Sequence, residues 1–103
     1  MLHPSEARKF KNAMSTIYKY PLGPGRTKLL LPHGAQVLTV QMQQGEPCLW
    51  ARVDPGNPPE RRVFDTFGTG HQIPDDRTLV YVATFQMDGG ALVWHVFEVT
   101  GAA

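Results

Sequence analysis

The loop Gly68-Thr69-Gly70-His71-Gln72-Ile73-Pro74-Asp75-Asp76 holds the densest chemistry in the 103-residue chain. Two glycines flank Thr69, a spacing that lets backbone amides approach a phosphate or another anion closely. The imidazole of His71 suits an acid or a base near neutral pH. Asp75 and Asp76 suit either the orientation of that imidazole or a hard cation. Gly68, Thr69, Gly70, His71, Asp75 and Asp76 are therefore the candidate ligand-binding residues, for a small anion such as a nucleotide. A plainer account also fits: the glycines supply a turn, His71 packs the loop, and Asp75-Asp76 opens the next hairpin. The loop is not a phosphate-binding P-loop, since no lysine follows and no helix is expected after it.

Other chemistries find less support. Ser5 and Ser15 are the only serines and both precede the patterned region, so a serine triad has no nucleophile where it needs one. Cys48 is the single cysteine, which excludes an intrachain disulfide and leaves a zinc site without its second thiol. It falls in an expected strand, where a buried, inert thiol is the expectation rather than a nucleophile served by His95 or His33. Asp65 and Glu98 are the only carboxylates that suggest a pair, and solvent-facing positions explain them equally well. No catalytic residue, metal or cofactor is assigned, and a small hydrolase using His71 is the weakest of the functional readings.

A binding surface needs less. Trp50, Arg52, Arg61 and Arg62 are the candidate partner-binding residues, with the proline-stiffened loop from Asp54 to Glu60 presenting the last two. A protein is the partner expected first. A strand edge also offers pairing with a second copy of the chain. Nucleic acid is a further alternative, with Trp50, Tyr18 and Tyr20 for stacking and Lys19, Arg26, Lys28, Arg52, Arg61 and Arg62 around the phosphates. The formal net charge of +1 weighs against it.

The elements that must position these residues are strands. A chain 42% hydrophobic and 18% charged has enough apolar residues for a core, and its length allows one domain. No apolar run reaches the roughly 20 residues of a membrane helix. The first 28 residues hold six basic side chains against Glu6 alone, whereas the remainder is acidic. Residues 1–15 read as an N-terminal extension, with a short helix over 4–14 from Ala7, Phe10, Ala13 and Met14 at helical spacing. No signal peptide is evident, so a cytoplasmic protein is expected. Residues 16–103 read as one all-β domain.

There the period is two. Strands are expected over Thr16–Tyr20, Lys28–Leu31, Ala35–Gln43, Glu46–Val53, Arg61–Phe67, Thr78–Met87 and Ala91–Thr100. Gln44-Gly45 and Asp88-Gly89-Gly90 supply hairpin turns. The alternation puts Leu38, Val40 and Met42 on one face, and Leu79, Tyr81, Ala83, Phe85 and Met87 on another. Ala91–Thr100 is apolar on both faces, which predicts a central strand or a subunit contact. About seven short antiparallel strands make a sandwich or a small barrel.

Four segments, taken together, resemble a family of small, uncharacterised proteins encoded by bacteriophages and prophages. They are Ile17-Tyr18-Lys19-Tyr20-Pro21-Leu22, Leu49-Trp50-Ala51-Arg52-Val53-Asp54-Pro55, Gly68-Thr69-Gly70-His71, and Thr84-Phe85-Gln86-Met87-Asp88-Gly89-Gly90 followed by His95-Val96-Phe97-Glu98. The resemblance runs from about Thr16 to Glu98. It implies a phage accessory protein made in the bacterial cytoplasm, acting by binding a host factor. Its concrete form would be an inhibitor of an antiviral defence system.

Overall fold

The computed structural model describes residues 14–101. Seven strands run in order: β1 Thr16–Pro21, β2 Arg26–Pro32, β3 Gln36–Gln43, β4 Glu46–Val53, β5 Pro59–Gly68, β6 Leu79–Met87 and β7 Leu92–Val99. They make two antiparallel sheets, a three-stranded one in the order β1-β4-β3 and a four-stranded one in the order β2-β5-β7-β6. The protein is all-β, and of the two expected forms, sandwich or small barrel, its two sheets make the sandwich. The expected helix over 4–14 lies outside the described residues except for Met14, which is in no regular element.

Local chemistry accounts for the hairpins. Gln44 and Gly45 both take positive φ, at 51° and 83°. That pair of left-handed residues turns the chain with the twist the strands require. The β6–β7 turn uses Asp88, Gly89 and Gly90, all at positive φ. The β1–β2, β2–β3 and β4–β5 connections carry the chain between sheets, whereas the long β5–β6 loop stays within the four-stranded one. Residues 22–25 are fastened to both, because Leu22 N donates to Pro47 O at 3.0 Å and Thr66 N donates to Gly25 O at 3.0 Å.

The inner faces meet over Leu31, Val40, Leu49, Ala51, Val53, Phe64 and Val96, all at most 1% exposed. Burying a side chain of this size contributes about 1.5–3 kcal/mol, so these residues dominate the cohesion of the two layers. In β4 the alternation holds throughout: Leu49, Ala51 and Val53 point inward, opposite in sense to Trp50 and Arg52. β7 is the central strand expected from its two apolar faces, lying between β5 and β6.

Two strands depart from simple alternation. The register shifts between Val37 and Thr39 in β3, and between Tyr81 and Ala83 in β6. Each bulge moves one set of side chains to the opposite face. Leu38, expected with Val40 and Met42, is exposed, and Val37 packs on the core instead. Leu79 and Tyr81, expected with Phe85, stand on the outer face, while Ala83, Phe85 and Met87 stay inside. The bulges come together where β3 approaches β6 and help close that side of the sandwich.

Candidate binding surfaces

The glycine loop is tied to itself. Thr69 N donates to Val93 O at 3.1 Å, and His71 N donates to Gly68 O at 3.0 Å. Gly68 N donates to Nδ1 of His71 at 3.1 Å. Three of the amides an anion would need are thus already engaged. Gly68 is an extended strand residue whose missing Cβ makes room for the imidazole. A Cβ there would lie 2.8 Å from His71 Cε1. Gly70, at φ 89°, is the residue that turns the chain.

His71 then packs edge-on against Trp94, ring centroids 5.7 Å apart. The aspartates go elsewhere. Asp76 accepts from Arg77 Nε at 2.9 Å, and no hydrogen bond joins Asp75 or Asp76 to His71 among the described residues. The candidate ligand residues are therefore divided, Gly68 to His71 forming a structural turn, Asp76 an ion pair with Arg77, and Asp75 an exposed loop position, and they line no common pocket among the described residues. Among the described residues no three His, Cys, Asp or Glu side chains are placed to hold a metal ion.

The four candidate partner residues are divided among three places. Trp50 and Arg52 stand on the outer face of the three-stranded sheet, where Arg52 Nε donates to Ser15 Oγ at 2.8 Å. Arg61 points out from the opposite sheet, beside Leu30. Arg62 points inward, where Nε and Nη2 hold both oxygens of Glu98 at 2.6 and 2.9 Å, and Nη1 donates to Ala35 O at 2.6 Å. The hydrogen bonds to Glu98 raise the Arg62 pKa above its ordinary value, against the opposing effect of burial. Asp65 and Glu98 do not act as a carboxylate pair, since each holds its own arginine.

The outer face of the four-stranded sheet carries what the sequence did not single out. Phe67 of β5, Phe97 of β7 and Tyr81 of β6 form a row of edge-to-face rings across three strands, with centroids 6.1 and 5.7 Å apart. A hydrogen-bond chain fixes one end of it: Tyr81 Oη to Thr84 Oγ1 at 2.8 Å, Thr84 Oγ1 to His95 Nδ1 at 3.0 Å, and His95 Nε2 to Thr69 Oγ1 at 2.8 Å. No further sheet lies on this face among the described residues; Tyr81 is exposed, Phe67 and Phe97 are half-buried, and Arg77 from the β5–β6 loop reaches across it to Asp65.

Beside the row sits an ion cluster. Asp65 accepts from Arg26 Nε at 2.7 Å and Nη2 at 3.0 Å, and from Arg77 Nη1 at 2.9 Å. These contacts, Arg26 first, hold the Asp65 carboxyl below the ordinary range although burial pushes the other way. Lys28 and Arg61, on the same face, have no ion-pair partner among the described residues. One signal for this surface was present in the sequence: residues 92–99 are apolar on both faces, and one of those faces needed a use.

The other outer face is different in kind. Thr39 of β3 and Lys19 of β1 flank Trp50, Gln36, Gln41 and Gln43 lie along the same face, and the exposed Ile17 stands opposite Arg52. Cys48 points to this side yet is 3% exposed. Lys19 Nζ donates to Gln43 Oε1 at 2.7 Å across the strand that bears it. The thiol is buried, as its strand position led one to expect.

A concavity opens at the end of the sandwich where residues 22–25 pass between sheets. It has a volume of about 310 Å³ and is walled by that turn, Phe85 and Met87 of β6, and Leu92 and Trp94 of β7, with Thr66 of β5. Trp94 Nε1 is buried and has no hydrogen-bond partner among the described residues.

No curated protein and no solved structure matches the chain. A family model does, over residues 14–103, which takes in all seven strands and both outer faces. By that match the chain belongs to the family described as "Domain of unknown function (DUF7352)".

Proposed function

We propose that the protein is a non-catalytic binding module that engages a protein partner through the outer face of its four-stranded sheet. The observation that carries this reading is the row Phe67–Phe97–Tyr81, whose Tyr81 end is exposed, on a face that no further sheet covers among the described residues. Interface cores are enriched in aromatic residues and arginine, and this face combines the row with Arg26, Arg61 and Arg77. Strands about 4.8 Å apart, rising about 3.3 Å per residue, make four strands of this length a face of roughly 500 Å² in projection. That is a large share of the roughly 800 Å² that a stable complex takes from each partner. The hydrogen-bond chain that holds Tyr81 reduces the ordering cost of binding. Leu30 and Tyr81, 65% and 58% exposed, extend the apolar surface to both edges of the sheet.

The resemblance to phage and prophage proteins supports the narrower form of this proposal. In it the partner is a bacterial host factor met in the cytoplasm, and inhibition of an antiviral defence system is the outcome. A second reading rests on Lys28 and Arg61, without ion-pair partners among the described residues and on the same face as the aromatic row, an arrangement suited to a single-stranded nucleic acid.

Affinity capture with the wild-type chain and with a Leu30→Asp, Tyr81→Asp variant tests the proposal. Both positions are more than half exposed, so the variant keeps its fold. A protein retained at stoichiometric amount by the wild type and lost by the variant supports the protein reading. Recovery of nucleic acid alone, with an affinity that falls steeply with salt, supports the second. A partner retained equally by both chains would refute the assignment of this face.

A further inference from the structure

We propose that the concavity between the β1–β2 turn and the β6–β7 hairpin is a separate binding site for a small, uncharged, mainly apolar molecule bearing one hydrogen-bonding group. The argument starts from the walls. Leu22, Phe85, Met87, Leu92 and Trp94 supply apolar side chains, and no charged residue lines the space among the described residues. An ionised ligand would lose its hydration there without gaining a counter-charge. A neutral one loses only apolar surface from water.

The volume, about 310 Å³, lies at the lower end of the range of small-molecule sites, which fits a ligand of one or two rings or a short aliphatic chain. Thr66 contributes the single side-chain hydroxyl of the lining, and that hydroxyl makes no hydrogen bond among the described residues. It is the group that would orient the ligand. The same wall carries the orphaned Trp94 Nε1, an unmet donor that the fold tolerates at this place.

The site is also built before any ligand arrives. The turn over it is hydrogen-bonded to β4 through Leu22 and to β5 through Gly25, and Gly23 N donates to Thr27 Oγ1 at 3.0 Å. His71 buttresses Trp94 from outside the pocket, its ring lodged on Gly68. That support gives the glycine loop a role at a binding site, although none of its residues lines the cavity.

Fluorescence titration with the neutral probe N-phenyl-1-naphthylamine tests this on a Trp50→Phe chain. That substitution leaves Trp94 as the only indole. Saturable probe binding with quenching of Trp94 is expected. Gly23→Phe should weaken it at least tenfold. Gly23 has ordinary φ and its Cβ would meet only Thr27 Oγ1, at 3.8 Å, so the added ring narrows the pocket without straining the turn. Thr66→Val, which removes the hydroxyl at nearly constant shape, should weaken a ketone-bearing analogue of the probe about two- to tenfold. The probe itself should bind as before.

Four results would overturn the proposal. One is the absence of saturable binding, and another is undiminished binding to a folded Gly23→Phe chain. A third is binding of the sulfonate-bearing analogue as tight as that of the neutral probe. The fourth is displacement of the probe by a captured partner protein, which would give the pocket to a partner's side chain. Leu30→Asp with Tyr81→Asp should leave probe binding unchanged, so failure here and failure of the protein-binding face are read separately.

Discussion

The two outer faces of this sandwich share a strand geometry and differ in almost everything else. On the three-stranded sheet, glutamines, Thr39, Lys19 and Arg52 share the face with a single half-buried tryptophan and one exposed aliphatic side chain, Ile17. On the four-stranded sheet, three aromatic rings touch in sequence across the middle, with an ion cluster at one flank and Lys28 and Arg61 beside it. A polar face is satisfied by water. An aromatic face is satisfied only by another surface, and its presence on an outer layer is a cost to solubility that function explains better than folding does. The Arg26–Asp65–Arg77 cluster belongs to the same logic, since it holds charge in fixed positions next to an apolar row.

The contrast is open to test, and the largest expected effect is on binding. Leu30→Asp with Tyr81→Asp should weaken a captured partner by more than about 30-fold, the size of a hot-spot loss. Trp50→Ser on the polar face should leave that affinity unchanged, as measured by calorimetry. Equal losses on both faces would erase the distinction between them.

Next in size is the ion cluster. Asp65→Asn should lower stability by about 1.5–3 kcal/mol, the range for hydrogen bonds to charged groups, read from urea denaturation. Solvent screening at Arg26, whose side chain is 39% exposed, places the loss toward the lower end.

The pH dependence follows from the same carboxyl. Its folded pKa is depressed below the unfolded value near 3.9. The unfolded chain therefore binds the proton first on acidification. The stabilisation is whole above the unfolded pKa and is lost as pH falls through the folded one. Wild-type stability should decline on acidification below about pH 4, and the Asp65→Asn chain should lose the part of that decline due to Asp65.

The smallest effects belong to the polar face. Gln41→Lys should change stability by no more than about 0.5 kcal/mol. Cys48, nearly closed off by its neighbours, should react with a soluble thiol reagent far more slowly than in urea-unfolded chain. Fast labelling of the folded protein would show that the polar face opens readily.

Much of the scaffold was legible in the chain because its determinants are local. Gln44-Gly45 selects its own turn, and Leu49, Ala51 and Val53 alternate without interruption against Cys48, Trp50 and Arg52. The bulges were not legible. Nothing in Val37-Leu38-Thr39 or Tyr81-Val82-Ala83 announces an extra residue, because bulging depends on the edge each strand meets across the sandwich. That one slip puts Tyr81 on the outside, beside Phe97. The glycine loop misled for a related reason. Gly-Thr-Gly-His has the composition of an anion site, but the imidazole takes the space over Gly68 and the local amides take each other. Arg62 had the composition of a surface contact and is committed to Glu98 and Ala35.

By itself the sequence determined the class of structure: seven short strands, two strong hairpin turns, a central two-sided strand and a thiol without a partner. These follow from side-chain period and turn chemistry, which act within a few residues. Only the tertiary structure decided which face each side chain serves. Phe67, Tyr81 and Phe97 are far apart in the chain and meet through the register of β5 and β6 on β7. The apolar pocket likewise exists only because the β1–β2 turn is pinned across the gap between sheets. Register and sheet packing are set by contacts between distant segments, and no local pattern encodes them.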